Sequence, residues 1–231
     1  MTSPSRNSPT ATDVRSLYEG LFAAYGPQYW WPGDGPFDVI VGAILTQNTN
    51  WSNVEKALES LRLAGVWSFG AIRRTKRKEL AMLIQSSGYF NQKARKLHEF
   101  ATLVEIDFHG SLDQLLDLPK SDLRARLLGV WGIGEETADD VVLYAAGKPS
   151  FVIDAYTRRI VDRLGWRVDG ERYTDYQSLF TERLPPDAAL YNEFHALLDV
   201  HASRVCRPTP MCEECSLLVM CQTGSSPSHS G

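Results

Sequence analysis

Four cysteines form the most chemically specific pattern in the sequence. All lie in the last 26 of its 231 residues, spaced C-x5-C-x2-C-x5-C: Cys206, Cys212, Cys215 and Cys221. Four neighbouring thiolates can bind one metal centre. Zinc sites usually present two C-x2-C pairs across a longer loop, whereas one pair flanked by single cysteines lets a short segment wrap a bulky cluster. The spacing favours a [4Fe-4S] cluster; structural zinc is the alternative, and disulfides would need an oxidising compartment.

A second candidate site is a glycine-containing turn in the segment LLGVWGIGEETA, residues 127–138. We expect one helix to end near Leu128, the chain to turn through Gly132 and Gly134, and a second helix to begin directly behind them. Glycine permits positive φ and close approach of another group, and the first amides of a helix have no partner inside it. Such a turn can bind a phosphate without reading a base, although many tight corners between helices share the pattern.

Asp154 is the third candidate, because it follows three apolar residues and opens a predicted helix in the segment FVIDAYTRR. One interpretation is a helix N-cap, a position where aspartate is favoured. The other is a carboxylate in a partly dry site, where it could stabilise a cationic transition state or orient a water molecule. The two roles are compatible, so Asp154 is a candidate catalytic residue.

The elements that must position these residues are predicted to be helices, since apolar residues recur at helical spacing and strand alternation is nearly absent. Glycines punctuate the pattern at Gly26, Gly147 and Gly165. The apolar repeats cover residues 14–25, 51–61, 94–104, 138–145 and 160–164, with a last helix from about 186 to 204. We predict about ten helices and an all-α fold.

The composition is that of an ordinary globular protein, with 43% apolar and 23% charged residues. A net charge of −4 does not exclude nucleic-acid binding, because a local basic face binds phosphate. Two basic clusters could supply that face, although such runs are also typical of solvated helices: Arg73, Arg74, Lys76, Arg77 and Lys78, and Lys93, Arg95 and Lys96.

Both ends of the chain are rich in Ser, Pro, Thr and Gly, so residues 1–10 and 222–231 are expected to form disordered tails. The longest apolar run, around Phe37 to Leu45, is too short to span a bilayer. The first residues are polar and lack an apolar signal region. We therefore expect a cytoplasmic protein that does not associate with membranes.

Together these segments resemble the endonuclease III branch of the helix-hairpin-helix DNA glycosylases over about residues 15–221. The segments that carry the resemblance are VWGIGEETA, FVIDAYTRR, ILTQNTNWSNVEKAL, SGYFNQKARKL and the four-cysteine loop. The resemblance implies a two-domain helix-hairpin-helix fold with a C-terminal iron–sulfur cluster loop and DNA between the domains. The expected domains are a six-helix domain with the hairpin at 27–147 and a cluster domain from 11–26 plus 148–221.

The resemblance also implies roles for individual residues. The four cysteines would bind a [4Fe-4S] cluster, Asp154 would be catalytic, and Gln47 would enter the duplex where a base has been flipped out. The hairpin contacts to DNA would come from Gly132, Ile133, Gly134 and Thr137. Arg204 and Arg207 flank the cysteine loop and could meet backbone phosphate. The expected partner is double-stranded DNA with a damaged base, bound by a monomer that is nucleoid-associated when on DNA.

Glu136 departs from the pattern of the bifunctional family members. Those members carry a lysine at this position, 18 residues before the aspartate, and its amine attacks the sugar before the strand is cleaved. A carboxylate cannot form a Schiff base. We therefore expect a monofunctional enzyme in which water is the nucleophile.

The aromatic segment Tyr-Trp-Trp-Pro at residues 29–32 bears on the choice of base. It can be a structural plug in the core, or part of an aromatic pocket for a flipped base. With the following FDVIVGAILTQNTNW run it looks like the 3-methyladenine glycosylase members of the family, which also carry glutamate at the lysine position. The candidate pocket residues are Trp30, Trp31, Pro32 and Trp51.

The sequence thus predicts a monofunctional base-excision glycosylase for an alkylated purine such as 3-methyladenine, with little or no AP-lyase activity. A second hypothesis is an endonuclease III-like glycosylase for oxidised pyrimidines or mismatched thymine. A third is a catalytically weak iron–sulfur protein that binds lesions or DNA. The combination of an alkylbase-type pocket with the cysteine loop of the endonuclease III branch leaves the exact base open.

Overall fold

The computed structural model describes residues 7–31 and 33–225. In this part of the chain the regular structure is helical, apart from one β-bridge between Asn7 and Trp166. The all-α prediction is confirmed. The α-helices are α1 Ala11–Tyr25, α2 Pro36–Leu45, α3 Trp51–Leu63, α4 Phe69–Arg74, α5 Arg77–Leu83, α6 Phe90–Thr102, α7 Leu112–Leu116, α8 Lys120–Leu128, α9 Glu135–Asp140, α10 Ala155–Leu164, α11 Tyr173–Thr181 and α12 Ala188–Arg204.

The chain divides into two compact units. Unit 1 comprises Met1–Trp30 and Pro149–Gly231 and contains α1 and α10 to α12, whereas unit 2 comprises Trp31–Lys148 and contains α2 to α9. The described part of unit 2 therefore has eight α-helices where six were expected. The surplus arises from short helices such as α4, α5 and α7, which have five to seven residues. An apolar repeat needs about 11 residues to show, so such helices escape it.

Helix α2 forms the centre of unit 2. Every residue from Asp38 to Leu45 is buried, as expected for a helix that is apolar on all sides and surrounded by others. Apolar side chains of α3, α6 and α9 complete this core, and burial of each large aliphatic side chain contributes about 1.5–3 kcal/mol. None of the described helices is both long enough and apolar enough to cross a membrane.

Four aromatic rings form the centre of unit 1. Phe151 stacks on Phe180 at a centroid distance of 4.1 Å, and Phe194 meets both rings edge-on at 5.6 Å. Tyr191 packs edge-on against Phe151 as well, at 5.3 Å. These contacts join α11 and α12 to the extended segment that leads into α10.

The predicted helix ends are confirmed where glycine stops the apolar repeat. Gly26 has φ +68° after α1, and Gly165 has φ +76° after α10. Both values lie in the left-handed region that favours glycine. The start of α1 carries a capping box between Thr10 and Asp13, which satisfies amides that the first turn leaves unpaired.

The disordered tails expected at residues 1–10 and 222–231 include residues that are ordered in the structure, at the end of each tail nearest to the helices. Asn7 pairs with Trp166, and the carbonyl of buried Pro9 accepts a hydrogen bond from Nε of Arg183 at 2.7 Å. The amide of Thr223 donates to a carbonyl of α10 at 3.0 Å. Composition alone predicted disorder here, but these backbone groups have partners in unit 1. The outer residues of both tails lie outside the described part of the chain.

Candidate active site and metal centre

The four cysteines line one cavity in unit 1, together with apolar side chains of α10 and the cysteine loop. Cys206 is buried two residues after α12, and the other three are half-buried on or beside the 3-10 turns Cys212–Glu214 and Leu218–Met220. The structure thus brings the four predicted ligands to one place. Among the described residues, no three His, Cys, Asp or Glu side chains are arranged closely enough to hold a single metal ion.

Hydrogen-bond donors surround the cysteine sulfurs. Nη1 of Arg163 donates to Sγ of Cys206 at 3.2 Å, and the same guanidinium donates to the carbonyls of Cys206, Arg207 and Pro208. The amide of Gly224 lies 3.5 Å from Sγ of Cys221. Donors of this kind stabilise thiolate and tune a bound cluster. Arg163 therefore fixes the start of the cysteine loop and partly neutralises its charge.

His201 connects the cysteine cavity to α1. Its Nδ1 is 2.8 Å from the hydroxyl of Tyr25, and its Nε2 is 3.7 Å from Sγ of Cys215. Burial lowers the pKa of His201 to about 4, so the imidazole is neutral at physiological pH.

The chemistry of the cysteine site fits a metal centre. Burial raises the pKa of the thiols of Cys215 and Cys221. Buried thiolates are stable only beside a positive group, and a bound metal supplies that charge. The donor set of four cysteine sulfurs is suited to a [4Fe-4S] cluster or to zinc.

The glycine turn joins α8 to α9 in unit 2. Gly132 has φ +83°, and a Cβ there would lie 2.8 Å from the side chain of Lys96, so both conformation and space demand glycine. Gly134 is the N-cap of α9. The side chain of Ile133 is buried, so only its backbone is available to a phosphate. The helix-turn-helix arrangement predicted for this segment is confirmed.

An ion pair locks the two helices of this hairpin together. The guanidinium of Arg124 on α8 donates two hydrogen bonds to fully buried Asp139 on α9, at 2.9 and 3.0 Å. It also reaches Glu135 at 3.4 Å. A bidentate pair of this type fixes geometry as well as charge. Glu136, in the same first turn of α9, is exposed.

Both ends of the Gln47 amide are bound, one by the hairpin and the other by α6. Nε2 of Gln47 donates to Oγ1 of Thr137 at 2.6 Å, and Nζ of Lys96 donates to Oε1 of Gln47. Thr137 is only 3% exposed, so its side chain does not face solvent as the DNA-binding prediction required. Its hydroxyl instead holds Gln47, and a contact of Thr137 with phosphate would have to use the backbone amide.

Asp154 is the N-cap of α10, which confirms one of its two predicted roles. Its Oδ1 accepts a hydrogen bond from the amide of Thr157 at 2.7 Å. The same oxygen lies 3.9 Å from Nε2 of His195 on α12, and the Asp154 side chain is 18% exposed. Within residues 7–31 and 33–225, no hydrogen bond ends on Oδ2. The carboxylate therefore keeps one accessible oxygen for a ligand.

The segment before Asp154 is positioned by side chains that sequence reasoning missed. Phe151 to Ile153 are buried and extended, and they belong to no sheet that could satisfy their backbone. The amide of Ile153 instead donates to the hydroxyl of Tyr173 at 3.1 Å, and Nε2 of Gln177 donates to the carbonyl of Phe151 at 2.8 Å. Both side chains lie on α11, which therefore determines where Asp154 is placed.

A second carboxylate, Asp199, shares the environment of Asp154. It follows His195 by four residues on α12, so the two lie on one face of the helix. Burial raises the pKa of Asp199; the charge of His195 lowers it and the charge of Asp154 raises it further. Asp154, His195 and Asp199 therefore form one electrostatically coupled group in unit 1.

Two of the predicted pocket tryptophans meet in unit 2. The ring of Trp31 is 5.4 Å from that of Trp51 and 5.3 Å from that of Tyr144, between centroids. A Cβ at Gly42 would lie 3.2 Å from Trp31 and 3.4 Å from Trp51, so this glycine lets the rings pack onto α2. All three rings are half-buried. Tyr144 was not predicted, because the π-helical turn Val141–Ala145 that carries it changes the helical phase.

The remaining predicted site residues are placed as follows. Trp30 is half-buried and is the last residue of the first segment of unit 1, whereas Pro32 lies outside the described residues. Arg204 and Arg207 are both exposed. The guanidinium of Arg204 lies 6.0 Å from the ring centroid of Tyr25, and Nε of Arg207 donates to a carbonyl of α12 at 3.0 Å.

The two basic clusters differ in the structure. All members of the first, on α4 and α5, are exposed. The second is not a solvated basic face: Lys93 is buried, Arg95 stacks on the ring of Trp131 at 3.7 Å, and Lys96 binds Gln47. The helical phase explains Lys93, which shares a face with the core residues Leu97 and Phe100.

Comparison with known proteins connects this geometry to a family. The model of the HhH-GPD superfamily, described as base excision DNA repair protein, matches residues 41–186. A protein of Methanocaldococcus jannaschii, provisionally named a DNA repair glycosylase, is 36% identical over 210 residues, with coverage of 90% of this chain and 95% of that protein.

Solved structures show the same fold. A trapped endonuclease III–DNA covalent intermediate superposes with a TM-score of 0.81 at 20% identity, covering 94% of this chain and 98% of that chain. A 3-methyladenine DNA glycosylase of H. pylori, bound to 1,N6-ethenoadenine, gives 0.70 at 26% identity, covering 84% and 97%. The chain belongs to the HhH-GPD superfamily of base excision DNA repair proteins and is a DNA N-glycosylase.

Proposed function

We propose that this glycosylase removes an alkylated purine such as 3-methyladenine and has little or no AP-lyase activity. The observation that carries the proposal is the aromatic cluster of Trp31, Trp51 and Tyr144 around Gly42. A purine alkylated at N3 or N7 is positively charged, and stacking such a ring on aromatic faces is worth about 1–2 kcal/mol once water is excluded.

The similarity to the H. pylori enzyme supports this choice of base, because that protein is described as a 3-methyladenine DNA glycosylase. An alkylated purine is an activated leaving group, so its release needs no strong general acid. The C1′–N bond breaks with its electron pair moving to the base, which neutralises the positive charge there. Cationic character then develops at C1′, and water supplies the oxygen that replaces the base.

Asp154 is the proposed catalytic residue for this step. Its accessible Oδ2 would stabilise the cationic sugar and accept the proton of the attacking water. The N-cap bond from Thr157 to Oδ1 fixes the direction of the carboxylate. His195 lies beside this carboxylate, with its Nε2 3.9 Å from Oδ1.

The absence of lyase chemistry is proposed from Glu136, which has no amine to attack the sugar. Two lysines outside the hairpin have their amines engaged. Lys96 binds Gln47, and Nζ of Lys148 donates to the carbonyl of Leu116. Neither amine would replace the missing lysine without breaking these bonds.

The cysteine site is proposed to hold a [4Fe-4S] cluster through Cys206, Cys212, Cys215 and Cys221. The cavity lined by all four side chains and the donors around their sulfurs support a metal centre. The single C-x2-C pair favours iron–sulfur over zinc. We propose a structural role, since the loop carries Arg207 and follows Arg204, both suited to bind phosphate.

Binding to damaged duplex DNA is proposed to use several separate surfaces. The backbone of the hairpin would bind one phosphate through Gly132, Ile133 and Gly134. The exposed cluster on α4 and α5 would contribute long-range attraction. Gln47 would leave its hydrogen bonds to Lys96 and Thr137 and fill the space of the flipped base.

The experiment that tests the function is a panel of single-lesion duplexes assayed with and without hot alkali. The duplexes contain 3-methyladenine, 7-methylguanine, thymine glycol or a T:G mismatch. We expect release of alkylated purines and strand cleavage only after alkali. Release of thymine glycol or mismatched thymine instead would favour the endonuclease III-like alternative. Tight binding to abasic analogues without release of any base would favour a lesion-binding protein.

A further inference from the structure

Lys93 carries a buried cation for which the proposed reaction has no direct use. Its side chain is 2% exposed, and Nζ donates to the carbonyls of Leu45 at 2.8 Å and Ser87 at 2.6 Å. Among residues 7–31 and 33–225, no carboxylate lies within ion-pair distance of Nζ. A buried ammonium without a counter-charge is costly, so a purely apolar residue would pack here more favourably.

The two carbonyls belong to different parts of unit 2. Leu45 is the last residue of α2, and the loop that carries Gln47 begins directly after it. Ser87 ends the 3-10 turn before Tyr89, which is the N-cap of α6. Lys93 itself lies in the first turn of α6. One ammonium therefore joins the end of α2 to the segment that precedes α6.

Both segments contain a residue with an unfavourable backbone conformation. Asn48 has φ +54° and Tyr89 has φ +43°, in a region that side chains other than glycine adopt at a cost. Such conformations persist only where the surroundings determine them. The side chain of Tyr89 is 65% exposed, so packing of that side chain does not hold its backbone in this conformation. The hydrogen bonds from Lys93 supply that restraint, because they end on Leu45, three residues before Asn48, and on Ser87, two residues before Tyr89.

We propose that Lys93 is a positioning residue that fixes the loop of Gln47, residues 46–50, relative to the segment of Tyr89, residues 87–89. Both are then set before DNA arrives, and the energy of DNA binding is not spent on ordering them. This inference depends on the proposed function at one point, which is the insertion of Gln47 into the duplex. The restraint itself is a property of the free protein.

The protonation of Lys93 gives the restraint a dependence on pH. Burial, and to a lesser extent the charge of Lys96, lower the pKa of Lys93 to about 8. The groups that face Nζ are the carbonyls of Leu45 and Ser87, and Lys96 follows on α6. The ammonium is present at neutral pH, and above about 8 it gives way to an amine that binds the two carbonyls more weakly.

The test compares Lys93→Met with Lys56→Met, which makes the same change on the exposed surface of α3. Hydrogen exchange of residues 46–50 and 86–90 is measured in the free protein at pH 7. Base flipping is measured from 2-aminopurine fluorescence in a lesion duplex. We expect Lys93→Met to fold with a Tm near that of the wild type, to exchange faster in both segments and to flip about 100-fold less efficiently. Lys56→Met should match the wild type.

Unchanged exchange in both segments of folded Lys93→Met would overturn the proposal. If that variant does not fold, the wild type at pH 7 and pH 9 replaces it, with exchange corrected for the intrinsic effect of pH. Faster exchange at pH 9 in these two segments, and not in the core of α2, supports the proposal; identical protection contradicts it. A wild type that releases no base would refute the proposed function and leave the exchange result valid.

Discussion

Oδ1 of Asp154 lies 3.9 Å from Nε2 of His195. This contact connects the N-cap of α10 to the middle of α12. The stacked rings of Phe151 and Phe180 and the edge of Phe194 determine this spacing. This separation is too long for a hydrogen bond in this conformation. Such pairs often shorten when substrate binds.

We predict that His195→Asn lowers the single-turnover rate of base release by about 100-fold, because the imidazole lies beside Asp154 and helps to orient its carboxylate. Affinity for a duplex with an abasic analogue should remain unchanged. The double variant with Asp154→Asn should be no slower than Asp154→Asn alone, since residues that act as a unit are not additive. Additive losses would mean that His195 acts independently of Asp154.

Thr137→Val should strengthen binding to an abasic-site duplex, by about fivefold for one lost hydrogen bond of roughly 1 kcal/mol. The bond from Gln47 to Thr137 exists in the free protein and competes with insertion of Gln47 into DNA. Gln47→Ala should weaken the same binding. Titration of a fluorescent duplex measures both. Equal weakening by the two variants would show that Thr137 supports the bound state.

The buried ammonium of Lys93 predicts an unusual dependence of stability on pH. Its pKa is about 8 in the folded chain and 10.5 when unperturbed, so between these values the unfolded chain binds more protons. Global unfolding moves Lys93 into water, whereas local loosening of residues 46–50 and 87–89 leaves it buried. The free energy of global unfolding contributed by this group therefore rises from pH 8 to pH 10.5 even though the two segments loosen. Urea unfolding of wild type and Lys93→Met should differ in slope over this window. Parallel curves would show that Lys93 titrates normally.

Glu136→Lys should introduce lyase chemistry. The substitution places an amine on the exposed first turn of α9, at the position occupied by the attacking lysine in bifunctional family members. We expect borohydride to trap the variant on DNA that contains a released site, and not the wild type. Glu136→Gln is the matched control and should not be trapped. Trapping of the wild type would refute a monofunctional enzyme.

The cysteine site should contain iron. The purified protein is expected to be brown, with broad absorption near about 400 nm and about four irons per chain. Arg163→Gln should preserve the iron content and shift the reduction potential, because it removes a charged donor from Sγ of Cys206. Metal analysis and voltammetry on DNA-free protein provide the readouts. A colourless protein that contains zinc would contradict the cluster.

Local patterns in the sequence were sufficient for the long helices and for the proximity of the four cysteines. The repeat that ends at Gly26 and the one that ends at Gly165 predicted α1 and α10, because glycine in the left-handed region stops a helix without tertiary help. The four cysteines lie in one short loop, so their proximity follows from chain length alone. Asp154 was recognisable as an N-cap because it directly precedes the residues of α10 in the sequence.

Other features depend on contacts between distant residues, and the sequence did not reveal them. Tyr173 and Gln177 were not identified, since their role is to satisfy backbone groups of a segment more than one helix away. Lys93 was assigned to a basic surface because it stands among charged neighbours. Its spacing from Leu97 and Phe100 was the signal of burial, and only the carbonyls of Leu45 and Ser87 explain how the charge is tolerated.

The most direct test of the central claim is single-turnover release of 3-methyladenine from a defined duplex by wild type and Asp154→Asn. Asparagine keeps the side-chain oxygen that caps α10, so the fold should persist while the charge is lost. We predict free 3-methyladenine and an alkali-labile site with the wild type. We also predict release at least about 100-fold slower with Asp154→Asn at similar DNA affinity. No release by the wild type, or equal release by both proteins, would contradict the account.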